Sequence, residues 1–234
     1  MLAHVCGKQE PVTLMELVEV TAASRTTALR IASSLTNHRF LDRCEDGRYE
    51  TGEFLRRLGN RSTEQVDLKE RAIPILNKLA ISTEETAHFA LPLKTQCILE
   101  YVAPSPRPIR VASQAGTLVD YHCSSTGKAI LAFNSKLTNS LRDKIKLQRR
   151  TENTLTKWTQ LDDELELVHK RGYAVDEQEY HEGVRCVAVP LIDANKNVVG
   201  AIGVTGATST LTKRRISSLA RELNDAAAAI LAIE

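Results

Sequence analysis

In the first third of the chain, apolar residues recur at spacings of three and four, the signature of short amphipathic helices. Leu14, Leu17 and Val18 predict one such helix from Thr13 to Val20. Leu29, Ile31 and Leu35 predict a second that starts at Ser24 and turns those three residues toward a core. From Ser62, the run Ser-Thr-Glu-Gln has the form of a capping box with Gln65 at its third position, and predicts a helix carrying Leu68, Ile75, Leu76 and Leu79. Pro74 removes one backbone donor from that helix, so a kink or break is expected near Ile73.

Beyond Ser82 the pattern changes to alternation and short solid runs. Strands are predicted at His88 to Leu93, Gln96 to Val102, Gly172 to Asp176, Val184 to Ile192 and Val198 to Thr205. Asp193-Ala-Asn-Lys-Asn197 reads as the turn of a hairpin joining the last two. Helices are predicted at Ser124 to Phe133, Leu161 to Lys170 and Thr212 to Ile233. In the last, Ile216, Leu219, Leu223, Ala227 and Ile230 form one stripe that should lie on a sheet. The reading is therefore an α+β chain in three parts: residues 1–60, a linker helix over 61–81, and an α+β domain over 82–234.

Composition narrows the function classes. With 42% hydrophobic and 26% charged residues, the chain can build real cores. Its apolar runs, such as residues 226–232, fall short of the roughly 20 residues that cross a bilayer. Leu2 to Cys6 is too short for a secretory signal and lacks a basic leader, so no membrane and a cytoplasmic location are expected. The five cysteines form no CxxC pair and leave an odd member, which predicts reduced thiols and no metal. A net charge of +2 decides nothing about nucleic acid, because a DNA-binding face needs only a local basic cluster.

Such a cluster is present. Residues 13–38 have the layout of a helix-turn-helix: Thr13 caps the first helix with Glu16 three residues on, Thr21-Ala-Ala23 makes the turn, and Ser24 caps the second helix. The leading turn then presents Arg25, Thr26, Thr27 and Arg30 as candidate DNA contacts. Arginine pairs bidentately with guanine in the major groove, and threonine reaches a thymine methyl or a phosphate. Asp46-Gly47 lies between two short strand candidates, as in a wing, and places Arg43 and Arg48 for backbone phosphates. Residues 24–48 hold five arginines against three acids, a small excess, and a helical hairpin for protein contacts fits the same pattern.

On these residues the chain resembles the IclR family of bacterial regulators. The similar segments are Leu14-Met-Glu-Leu17, Ser24-Arg-Thr-Thr-Ala-Leu-Arg30 and the Asp46-Gly-Arg-Tyr-Glu-Thr-Gly52 wing. They continue with His122-Cys-Ser-Ser-Thr-Gly-Lys-Ala129, Arg171-Gly-Tyr-Ala-Val-Asp176 and Glu182-Gly-Val-Arg-Cys-Val-Ala-Val-Pro190. The resemblance implies an N-terminal winged helix-turn-helix joined by the linker helix to a GAF-like α/β effector-binding domain. It implies a double-stranded DNA operator and a small organic effector as partners, homodimers that often pair into tetramers, and no cofactor. Where the family often carries glycine, this chain has Ala22 and Arg39, and positive φ at either costs on the order of 1 kcal/mol.

The resemblance also implies an effector site made of Ser125, Thr126, Gly127, Asp176, Cys186, Gly203, Val204 and Thr205, with Val111 and Val119 as apolar walls. Hydroxyls and free amides at the start of the helix from Ser124 suit a carboxylate, and a small organic acid is expected. Gly203 stands where relatives that bind small keto acids often carry a hydroxyl. Simpler readings exist for the same residues: a helix cap at Ser124 to Thr126, a buried Cys186, and a strand end at Asp176. Cys186 has only Arg185 as a basic neighbour, which gives little ground for a redox role. Two rivals remain: an enzyme using Cys123 or Cys186 with His122 or His181, and a metal site gathering His122, Cys123, Asp176, His181 and Cys186. The basic stretch from Lys136 to Arg150 is expected to be a solvated face.

Overall fold

Thr13 and Ser24 each end a stretch of extended backbone and start a helix. In the computed structural model, which describes residues 1–8 and 10–232 and leaves the side chains of 57–66 outside the description, these two caps organise the N-terminal part. The Glu16 amide donates to Thr13 Oγ1 at 3.2 Å while the Thr13 amide donates to the Glu16 carboxylate at 2.8 Å, the reciprocal capping box expected. The order is α1 (Leu2–Cys6), α2 (Leu14–Thr21), α3 (Arg25–Asn37), then β1 (Leu41–Arg43) and β2 (Tyr49–Thr51). The two strands pair antiparallel, with Leu41 opposite Thr51 and Arg43 opposite Tyr49. Ala22 ends α2 at φ 48° and Arg39 follows α3 at φ 59°, so both non-glycine residues take the strained conformation that the sequence comparison requires there.

One expectation fails in α3. Leu29 and Ile31 are 41% and 38% exposed, and the helix faces its core with Ala28 and Ala32 instead, with Leu35 packed alongside. The stripe is phased on small residues because α2 and the hairpin approach α3 closely. Ranking positions by apolar bulk picked the wrong side. Leu17, Leu41, Tyr49, Val5 and Val12 complete this small core.

A single helix, α4 (Glu53–Thr83), replaces the expected linker. It begins upstream of Ser62, so that serine does not open it; the side chains of Ser62 and Gln65 lie outside the described residues. The helix also runs through Pro74 without a break. Pro74 is exposed while Leu68, Ala72, Leu76, Leu79 and Ala80 are buried, so the carbonyl deprived of its donor faces water and packing holds the helix on the other side. The chain divides into two compact units, Met1–Asp67 and Leu68–Glu234.

In the second unit follow β3 (Thr86–Pro92), β4 (Cys97–Ala103), β5 (Leu118–Val119), α5 (Ser125–Ala132), α6 (Ser135–Leu141), α7 (Trp158–Arg171), β6 (Ala174–Glu177), β7 (Val184–Ile192), β8 (Val198–Ala207) and α8 (Ile216–Leu231). Six strands form one antiparallel sheet in the order β5-β4-β3-β8-β7-β6. Period-two alternation gives it two buried faces. Ala87, Phe89, Val187, Val189, Ile202 and Val204 meet the second half of α4 and the Leu219, Leu223, Ala227, Ile230 stripe of α8. Ala90, Cys97, Leu99, Ala174, Ala188 and Ala201 meet residues of α5 and α7 on the other. Small side chains on that second face let α5 lie close against the sheet.

Candidate functional site

Two helix starts carry the candidate chemistry. At the start of α3, Ser24 Oγ accepts from the Thr27 amide at 3.2 Å and lies 2.9 Å from Thr27 Oγ1, so both hydroxyls serve the cap. Arg25, Thr26 and Arg30 point outward and are exposed, and neither arginine makes an ion pair or hydrogen bond with a described residue. Leu29 and Ser33 share this outward face, which the mis-phased sequence reading missed. In the hairpin, Arg43 is exposed, its guanidinium 5.9 Å from the Tyr49 ring. Arg48 donates to Asp46 at 2.7 Å, an exposed ion pair that places a carboxylate beside its charge. Arg56 pairs with Asp42 and Glu50 across the chain, quenching two acids beside the basic face; no local spacing announces such a contact.

At the start of α5 the same cap is built inside the protein. Ser124 Oγ donates to the Asp120 carbonyl at 2.6 Å and accepts from the Gly127 amide at 3.1 Å. A Cβ on Gly127 would stand 2.4 Å from the Tyr121 carbonyl oxygen, so only glycine allows this turn to close. Ser125 and Thr126 are 2% and 1% exposed, and their amides have no acceptor within the helix.

α5 packs across β6, β7 and β8, where two rows of residues cross the sheet. One row is Asp176, Cys186, Thr205 and Thr86; the next is Ala174, Ala188, Gly203 and His88. Thr205 donates to Cys186 Sγ at 3.2 Å, and Thr86 donates to the Val111 carbonyl at 3.0 Å, which ties the segment after β4 to the first row. Val119 packs in the same cluster as α5. Val204 departs from the expected set: its side chain packs on the opposite face of the sheet, because alternation turns it away from Gly203 and Thr205.

The electrostatics of this site are unusual. Asp176 is buried, accepts from the Glu179 amide at 2.6 Å and from the Tyr180 amide at 3.3 Å, and is pushed up to about 6 by burial. Glu179, also buried, is pushed up to about 7 by burial although Lys128 opposes the shift. Lys128 is fully buried in α5, paired with Glu179 and 3.6 Å from Glu164. Glu179 Oε2 has no hydrogen-bond partner among the described residues. Lys128 and Glu179 were missed from sequence. The signal was a lysine beside the apolar run Ala129-Ile-Leu131, which needs an acid when that run is buried.

The rivals find little support in this geometry. Burial holds the Cys123 and Cys186 thiols above their usual range, with the Asp120 and Asp176 carboxylates respectively adding to the effect, and neither has thiolate character. His122 Nε2 is engaged with the Gln148 carbonyl at 2.9 Å, and His181 is exposed. Asp120, His122 and Cys123 do lie within 4.8 Å of one another, without Asp176, His181 or Cys186. Both Asp120 oxygens are already taken by Gln96 at 2.9 Å and Arg150 at 2.7 Å, and the guanidinium opposes a second cation there.

Comparisons with known proteins agree with this architecture. A family model described as "Bacterial transcriptional regulator IclR C-terminal" matches residues 60–232. The HTH-type transcriptional regulator BhcR of Paracoccus denitrificans is 33% identical over 74% of this chain and 60% of its own. The glycerol operon regulatory protein of Streptomyces coelicolor is 26% identical over 91% of this chain and 84% of its own. Among solved structures, the Thermotoga maritima IclR superposes with a TM-score of 0.68 at 28% identity, covering 98% of this chain and 93% of that one. The two curated relatives are named as regulators and not as enzymes. With the family model spanning most of its length, this chain belongs to the IclR family of bacterial transcription regulators.

Proposed function

We propose that the chain regulates transcription by binding a double-stranded DNA operator through a winged helix-turn-helix made of α2, α3 and the β1–β2 hairpin, and that a small carboxylate-bearing effector held at the start of α5 changes its operator affinity. The observation that carries the reading is the outward face of α3, where Arg25 and Arg30 stand exposed on a capped helix with no ion-pair partner among the described residues. Arg30 and Arg25 read bases or phosphates, Thr26 adds a groove contact, and Arg43 anchors the wing on the backbone. Ser24 and Thr27 shape the helix start, and Arg48 contributes weakly because Asp46 holds it.

The effector half rests on the buried start of α5. The unbonded amides of Ser125 and Thr126 and the positive end of the helix favour a carboxylate. Cys186 and Thr205 supply polar contacts, Val119 an apolar wall, and Asp176 fixes the neighbouring turn. Val111 lines this site through its backbone, and Val204 does so only through its main chain. An effector of this kind shifts affinity only by preferring one state of the regulator over another. The protein acts in the cytoplasm as a homodimer, or as a pair of dimers, on a roughly palindromic site. A thermal-shift screen of small carboxylates and aromatic acids, followed by a mobility assay on the DNA upstream of the gene, tests both halves. A melting shift with one acid and an acid-dependent change in mobility are expected. No salt-sensitive DNA binding with or without those acids would contradict the reading.

A further inference from the structure

Gly203 occupies the middle of β8, between two paired strands, where glycine gains a sheet nothing. Space explains it. A Cβ there would stand 2.7 Å from the Val187 carbonyl oxygen, 3.0 Å from Ala188 Cβ and 3.0 Å from Nε2 of His88, the residue directly opposite on β3. The His88 imidazole therefore lies over Gly203, on the same face as Cys186 and Thr205 and one row along from them.

The hydrogen bonds around the ring assign its proton. Nδ1 lies 3.5 Å from Thr205 Oγ1, and that hydroxyl already gives its own proton to Cys186 Sγ at 3.2 Å. With that oxygen donating elsewhere, the tautomer that completes the chain of hydrogen bonds is the one with the hydrogen on Nδ1. A hydrogen bond to the Thr86 backbone acts in the same sense, favouring a donating ring. Burial meanwhile takes His88 down to about 4, so the ring is neutral at neutral pH. Nε2 is then a bare acceptor. It makes no hydrogen bond to a described residue and is not among the fully enclosed atoms, so in a residue only 4% exposed it is the ring atom left open to a donor.

We propose that His88 Nε2 reads the effector, accepting a hydrogen bond from a hydroxyl group, so that the ligand is a hydroxylated organic acid and not a plain one. This rests on the effector-site reading above. A hydroxyl suits the position better than an ammonium group: Asp176, the nearest acid in the adjoining row, already accepts two backbone amides and spends its charge on the turn after β6.

The test uses the full chain and two matched pairs of probes, lactate with propionate and 3-hydroxybenzoate with benzoate, measured by calorimetry. The hydroxylated member of at least one pair should bind about tenfold more tightly, as one added hydrogen bond allows. His88→Leu should remove that preference while leaving the affinity for the plain acid. Because a core substitution can disturb folding, the imidazole nitrogens of the unmodified protein give a second readout by long-range nitrogen-15 spectra. Nε2 should be unprotonated in the free protein and should shift with the hydroxylated probe only. A protonated Nε2, equal binding within both pairs, or a preference untouched by His88→Leu would overturn this inference alone. Binding that ignores Thr205→Val and Asp176→Ala, or no binding of any of the four acids, would instead count against the effector site itself.

Discussion

The starts of α3 and α5 are the same local device in two surroundings. Each has a serine in extended conformation whose hydroxyl accepts from the amide three residues on, at 3.2 Å in Ser24 and 3.1 Å in Ser124, and each presents the positive end of a helix. Around the first, Arg25 and Arg30 are long, cationic and exposed; around the second, Ser125, Thr126 and Gly127 are short and buried, and the cation that follows them, Lys128, is paired with Glu179. A helix start attracts anions in either case. In the proposed reading, burial and the neighbouring side chains decide which anion can arrive: a polymer of phosphates at the open face, or a single small acid at the closed one.

Substitution at the third helical position should separate the two most strongly. Gly127→Ala places a Cβ against the Tyr121 backbone and is expected to cost about 3 kcal/mol in urea unfolding, whereas Thr27→Ala, at the equivalent place on the open helix, should cost about 0.5 kcal/mol. The same contrast predicts a pH dependence confined to the buried start. Asp176 at about 6 and Glu179 at about 7 lie above ordinary carboxyl values, so the folded state holds their protons more tightly than the unfolded chain does. Stability is therefore greatest below the unfolded values and falls as pH rises through 6 to 7. Relative to Asp176→Asn, the unmodified protein should lose about 3 kcal/mol between pH 4 and pH 8, read from unfolding midpoints across that range. Equal pH profiles would sink this assignment. At the open face the expected differences are smaller: Arg43→Ala should lower the slope of DNA affinity against salt by about 1, and Arg48→Ala by less, since Asp46 competes with phosphate for it.

Much of this was legible in the residues, and unevenly so. The caps at Thr13, Ser24 and Ser124, the Asp46-Gly47 turn and the α8 stripe are local chemistry, in which a few neighbouring residues determine the outcome. The core face of α3 is not legible from apolar bulk, because two alanines make the closest approach there. Pro74 by itself predicts a break, which packing on the other side of the helix prevents. α1, α6 and the two-residue β5 are too short for a pattern to show. In the site, Asp176, Cys186 and Thr205 align as one row because strand register joins them, which spacing along the chain does not reveal. His88 comes beside that row through its register with Gly203, and Lys128 meets Glu179 across 51 residues of chain, neither of which local spacing announces.

The most direct test of the division between the two helix starts is fluorescence anisotropy of the upstream DNA fragment, titrated with the unmodified chain and with Arg30→Ala across a series of salt concentrations. The account predicts that Arg30→Ala weakens binding by about 10- to 100-fold while the melting shift given by a bound acid stays as it was. Unchanged DNA affinity with an unchanged salt slope in Arg30→Ala would contradict it.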